Sequence, residues 1–231
     1  MKTHLSFLVL AVVAILFSGC ASTAFRARIS DVDPNKLGPV SVQFDAGSAD
    51  RPKYLSEASA YGAEAAQEGV GGVLTAEAWK AISLGGGQAE IDRISRATGP
   101  FERPLIMNDF QTALKGGGIF IQPNAPASLT LELIGYGIFK NNHEVAYGTV
   151  HGFGILKNAS GRLVWKAEAT GLSASAYNIK DFFTNPQLYK QAIQSASMNF
   201  AALLYNSPCI PDRGAKKGYE EVARAPFAHG E

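Results

Sequence analysis

Three runs of alternating side chains between Ala127 and Gly171 restrict this chain more than any other feature of its 231 residues. Leu129, Leu131 and Leu133 alternate with Thr130, Glu132 and Ile134. Val145, Tyr147, Thr149, His151 and Phe153 lead towards Ile155 and Leu156. Leu163, Trp165, Ala167 and Ala169 then alternate with Val164, Lys166, Glu168 and Thr170. A period of two is that of a strand with one buried face. Lys140-Asn141-Asn142-His143 and Asn158-Ala159-Ser160-Gly161 separate the runs, and Ser160-Gly161 suits a tight hairpin. The expectation is an antiparallel three-stranded meander whose apolar face something else must cover.

The last helix is the expected cover. Asn185 is placed to cap it and Pro186 to open its first turn. Leu188, Tyr189, Ala192, Ile193, Ala196, Phe200, Leu203 and Leu204 follow helical spacing, and Asn206 and Pro208 end it. An earlier strand is expected over 39–45, where Val40, Val42 and Phe44 alternate with Ser41 and Gln43. Residues 54–84 are Ala-rich and helix-prone but broken by Gly62, Gly69, Gly71 and Gly72, each costing about 1 kcal/mol in a helix interior. Glu57, Glu64, Gln67 and Glu68 within that segment argue against a membrane-inserted span. Further helices are expected over 88–97 and 105–115, with a short strand at Ile119-Phe120-Ile121. The fold class expected is α+β, a mostly antiparallel sheet with helices packed on one face.

The first 19 residues have another character. Lys2 gives a thin positive start, Leu5 to Phe17 is mostly apolar, and Ser18-Gly19 places small residues before Cys20. That stretch is shorter than the roughly 20 apolar residues a spanning helix needs. The run Leu16-Phe17-Ser18-Gly19-Cys20 resembles the lipobox of bacterial lipoprotein precursors, with Phe17 where Leu is most usual. The resemblance implies that the Cys20 thiol becomes a diacylglyceryl thioether, that residues 1–19 are removed as a signal peptide, and that the new amino terminus is acylated, palmitate being the type of chain involved. Two or three acyl chains make a stable anchor where one does not. Ala21 is not the Asp associated with inner-membrane retention, so the family pattern implies the outer membrane, with the domain facing the periplasm.

The resulting division is a signal peptide over 1–19, a lipidated tether over 20–38, an α+β domain over 39–206 and a disordered tail over 207–231. Removing 19 of 231 residues leaves 212, ample for one core. Of 21 Lys and Arg only Lys2 lies in the signal, leaving 20 against 20 acidic residues. That balance, with no basic stripe, argues against nucleic acid as a partner. With Cys20 consumed, Cys209 has no thiol in its own chain to pair with, leaving an incidental thiol or an intermolecular disulfide as readings.

No catalytic set stands out. His143, His151 and His229 have no metal-ligand spacing, and neither Gly85-Gly86-Gly87 nor Gly116-Gly117-Gly118 is followed by the Lys-Ser or Lys-Thr of a phosphate loop. No G-x-S-x-G elbow occurs. The expectations are therefore no enzyme activity, no catalytic, metal or cofactor residues, and Cys20 as the one lipid-attachment site. Trp165, Tyr136, Tyr147 and Tyr177 are candidate contact residues, since aromatic side chains dominate interface energetics. The loop 173–185, carrying Tyr177, Phe182 and Phe183, either folds onto the domain or meets a partner. Ala127 to Leu133, then Gly161-Arg162-Leu163-Val164-Trp165, then an Ala-rich closing helix, is similar to envelope lipoproteins with a small α/β domain, such as penicillin-binding-protein activators and components of curli-secretion-like assemblies. That resemblance, over residues 39–206, implies binding to other envelope proteins without chemistry. The function expected is an adaptor or accessory subunit of a cell-envelope assembly, with a carrier of a small apolar ligand or lipid as the alternative.

Overall fold

In the computed structural model, residues 28–47, 49–56, 87–140 and 145–210 are described. The long strand β3 (Ala127–Lys140) organises the sheet. It pairs antiparallel with β4 (Val145–Lys157), which pairs antiparallel with β5 (Leu163–Leu172). On its other edge β3 holds two short parallel strands in succession: β1 (Val40–Asp45) along Ala127 to Glu132, and β2 (Lys53–Ser56) along Gly137 to Lys140. A bulge between Leu133 and Gly135 falls where β1 stops and β2 has not begun. The sheet is therefore mixed, though mostly antiparallel, and completed by β6 (Tyr177–Asn178) beside β4.

The 21-residue α5 (Pro186–Asn206) lies across β4 and β5. Asn185 caps it by accepting from the Gln187 N–H at 3.0 Å, with Pro186 in the first turn. Beside it runs α3 (Glu102–Gly116), preceded by α2 (Gln88–Thr98). Leu129, Leu131 and Leu133 meet Ile106, Phe110, Leu114, Phe200 and Leu204 in one core. A second cluster joins Ile91, Ile94, Ile138, Tyr189, Ile193 and Phe182. Each of these large side chains contributes about 1.5–3 kcal/mol by leaving water.

What lets α5 come so close is glycine on the sheet. A Cβ on Gly148 would stand 2.3 Å from the Ala192 carbonyl oxygen, and one on Gly171 would stand 2.3 Å from that of Ala196 and 2.4 Å from the Phe200 nitrogen. At Gly154 the Trp165 ring occupies the space a side chain would need. The same closeness decides which face of β4 is buried. Its core-facing residues are Ala146, Gly148, Val150, Gly152, Gly154 and Leu156, whereas Val145, Tyr147, Phe153 and Ile155 are half-buried on the other face. Small core-facing residues hid the true phase beneath larger ones pointing away.

Other boundaries move as well. Tyr54 to Ser56, expected to begin a helical segment, form β2; the remainder of that segment, residues 57–84, lies outside the described residues. Ile119 to Ile121 make one bridge, Ile121 to Val40, rather than a strand. The tether of 20–38 is shortened, because Arg28 bridges Pro208, Ile29 is in the core, and α1 (Pro34–Leu37) follows. The tail is shortened too: Ile210 donates to the Lys166 carbonyl at 2.7 Å, and Cys209 is buried. The loop over 173–185 folds back as β6 and α4 (Ile179–Thr184), with Phe182 fully buried against Tyr177, their rings 5.1 Å apart.

Gly171→Val is expected to lower stability by about 3 kcal/mol through overpacking under α5. Gly116→Ala, where a Cβ meets nothing within 4 Å, should change it by under about 0.5 kcal/mol. Urea denaturation of the two variants checks both values, and equal effects would mean that α5 does not depend on the close approach.

Candidate functional site

The break between β1 and β2 along β3 opens into a cleft of about 940 Å³. Chain leaving β1 turns at Gly47, which presses on the Leu133 carbonyl, and returns through Asp50, Arg51 and Pro52 to β2. The opposite wall is the corner between α2 and α3, where Gly99, at φ 74°, and Pro100 separate Ser95 and Arg96 from Glu102, Arg103, Pro104 and Met107. Phe44 and Tyr136 line the sheet side. Most of the wall is apolar, and the volume lies within the roughly 300–1,000 Å³ of small-molecule sites.

Polar groups in the wall are tied into a network. Glu102 is 3% exposed, a burial that an isolated carboxylate does not tolerate. Two hydroxyls satisfy it: Tyr189 donates to its Oε1 at 3.0 Å and Ser95 at 3.2 Å. Its place in the first turn of α3 adds the favourable field of the helix dipole. Arg103 donates to the Ala49 carbonyl and thereby pins the returning chain to α3. Arg51 pairs with Asp92 at 3.6 Å.

The network shows in the phenols. Burial pushes Tyr189 well above the usual tyrosine range, and the Glu102 charge, then the hydrogen bond to that carboxylate, push it further. Burial also raises Tyr136, with Glu102 adding to the shift while Arg103 opposes it by charge and by a side-chain hydrogen bond. Both phenols are therefore held neutral beside a carboxylate.

Of the candidate site and contact residues singled out in the sequence that are described, Tyr136 alone reaches this cleft. Cys20, His143 and His229 lie outside the described residues. Trp165 is core, its indole N–H donating to the Ser207 carbonyl at 3.2 Å. Tyr147 is half-buried on the sheet face away from α5, and Tyr177 packs on Phe182. His151 is buried on that same far face, its Nδ1 2.7 Å from the Thr170 hydroxyl and its Nε2 3.1 Å from Glu168 Oε1. These contacts tie β4 to β5 across the sheet from the cleft. Gly87 precedes α2 and Gly116-Gly117-Gly118 ends α3, while Ser160-Gly161 lies in the β4–β5 turn, where the Asn158 side chain accepts from the Ser160 and Arg162 N–H groups. Among the described residues no group of three or more His, Cys, Asp or Glu is placed to hold a metal ion.

Sequence reading missed Arg51, Arg96, Glu102 and Arg103, which come from three separate segments. One local signal was present: Glu102-Arg103-Pro104 has the acid and proline of a first helical turn, so α3 starts three residues before the expected Leu105.

Tyr189→Phe is expected to cost about 1–3 kcal/mol, because it removes one of two donors from a buried carboxylate. The sign with pH follows from the raised phenols. Their contribution is complete below the unfolded value near 10 and is lost as pH rises through the higher folded values. Stability measured by urea denaturation between pH 8 and 11 should therefore fall above about pH 10, and less steeply in Tyr189→Phe than in the parent.

No family model and no curated protein matches this chain. Among solved structures it shows a weak likeness to a Xanthomonas campestris protein described as DUF330, at 15% identity and a TM-score of 0.37, over 76% of this chain and 88% of that one.

Proposed function

We propose that this chain is a lipid-anchored protein of the bacterial envelope, held on the outer membrane facing the periplasm through acyl chains on Cys20. It works as a non-enzymatic adaptor or accessory subunit of an envelope assembly. The observation that carries this reading is the short distance between the lipidation motif and the fold. Cys20 stands eight residues before Arg28, which already bridges Pro208. Whatever its path, a chain of that length spans at most about 28 Å. The domain is thereby confined to the membrane surface, where a partner would itself be an envelope component. Among the described residues no helix is long and apolar enough to cross a membrane.

The cleft favours a second reading, a carrier or binding protein for a small ligand with a large apolar part. Its carboxylate, Glu102, is occupied by two hydroxyls inside the wall, which suits a binding surface better than an acid or base awaiting a substrate.

Growth with radiolabelled palmitate should label the protein, and Cys20→Ala should abolish the label. Crosslinking in intact cells should capture the same envelope protein repeatedly from the parent and lose most of it in Cys20→Ala. Absence of label sinks the anchor. A labelled protein with no reproducible partner sinks the adaptor.

A further inference from the structure

Among the described residues, one guanidinium of the cleft has nothing to hold. Three arginines line it, and two have internal partners: Arg51 is paired with Asp92, and Arg103 is bonded to the Ala49 carbonyl. Arg96, exposed in the last turn of α2, makes no hydrogen bond or ion pair among the described residues. The lining is positive in balance. Asp92 faces Arg51 and Glu102 is satisfied by the Tyr189 and Ser95 hydroxyls, which leaves exposed Asp50 as the other carboxylate of a lining that carries three guanidiniums against two carboxylates. Beneath this rim the wall is apolar, with Phe44, Met107, Pro100 and Pro104 facing a volume large enough for a chain of many carbons.

We infer that the cleft binds an amphipathic molecule with a single oxyanion, its acid group held by Arg96 and its hydrocarbon laid over Phe44 and Met107. This rests on the binding-protein reading and adds to it the charge and shape of the ligand. A guanidinium presents paired N–H donors that match carboxylate and phosphate oxygens alike, so the two acids share one recognition chemistry. A cationic amphipath would face three guanidiniums against two carboxylates, Asp50 and the buried, bonded Glu102. An uncharged one would gain the apolar wall alone. Glu102, 3% exposed and already bonded, sets the inner limit for a negative group, which therefore stays at the rim while the chain goes inward.

Calorimetric titration of the full mature chain carrying Cys20→Ala tests this with decanoate, decyl phosphate, decanol and decyltrimethylammonium, each below its micellar concentration. The expected result is one decanoate or decyl phosphate per chain, binding at least about tenfold weaker in Arg96→Gln, a loss typical of one charge-assisted bond. Met107→Trp, which fills the cleft, should abolish binding while Tm stays within a few degrees of the parent. Tighter binding of one acid over the other identifies the headgroup. Equal affinity of Arg96→Gln and parent for decanoate overturns the inference, as does binding of decyltrimethylammonium at the strength of decanoate. If decanol binds as tightly as decanoate, the binding-protein reading stands and the anionic class falls. If no amphipath binds up to its solubility, both fall and the adaptor reading is judged by crosslinking alone.

Discussion

The contact between the backbone of α5 and two glycines on the sheet sets the spacing on which the rest of the domain depends. Because Gly148 and Gly171 have no side chain, the carbonyls of Ala192 and Ala196 rest almost on the strands. That places Tyr189 deep enough to reach Glu102, and Phe200 and Leu204 deep enough to join the leucines of β3. It also brings α3 alongside, so that Phe110 and Leu114 close the same core. A wider gap would separate these partners together, since a packed interior has no loose layer to absorb the change.

The cleft follows from how β3 shares its second edge. Two short strands in tandem cannot satisfy a 14-residue strand without an interval, and the bulge at Leu133 to Gly135 occupies that interval. Chain that would otherwise continue the ladder swings outward over 46–47 and 49–52, and the α2–α3 corner meets it from the other side. Arg103 and the Glu102 network then hold the walls apart at a fixed width. The site is thus made by an interruption in pairing and supported by buried polar groups, an arrangement in which every member needs its partner.

Much of the architecture was legible in the sequence because it rests on local periodicity. The α+β class, β1 over Val40 to Asp45, and α5 with its Asn185 cap and first-turn Pro186 all follow from neighbouring residues. What failed did so where tertiary contact overrides the local pattern. In β4 the larger side chains Val145, Tyr147 and Phe153 suggested a buried face, yet the buried face belongs to Gly148, Gly152 and Gly154, because the helix backbone lies there. Glycines recurring within one strand signal close backbone approach, and that was the available clue. The cleft was not legible, since Arg51, the neighbouring Arg96 and Glu102, and Tyr136 come from three separate stretches of the chain and none belongs to a motif. Only the parallel pairing of β1 and β2 with β3 brings them together.

The bridge between Arg28 and Pro208 sits at the C-terminal end of α5, whereas Tyr189, which bonds Glu102 of the cleft wall, is in its first turn. At 1.5 Å per residue the 15 residues from Tyr189 to Leu204 separate the two by about 22 Å. With Cys20 acylated as proposed, the tethered end and the cleft are opposite poles of one rigid rod. Eight residues reach at most about 28 Å, so the domain and any membrane-borne partner share a thin layer at the surface and meet more often than in free solution. Contacts too feeble to survive between free molecules in solution would then persist at the surface, so selection could keep the partner's interface small and readily reversible.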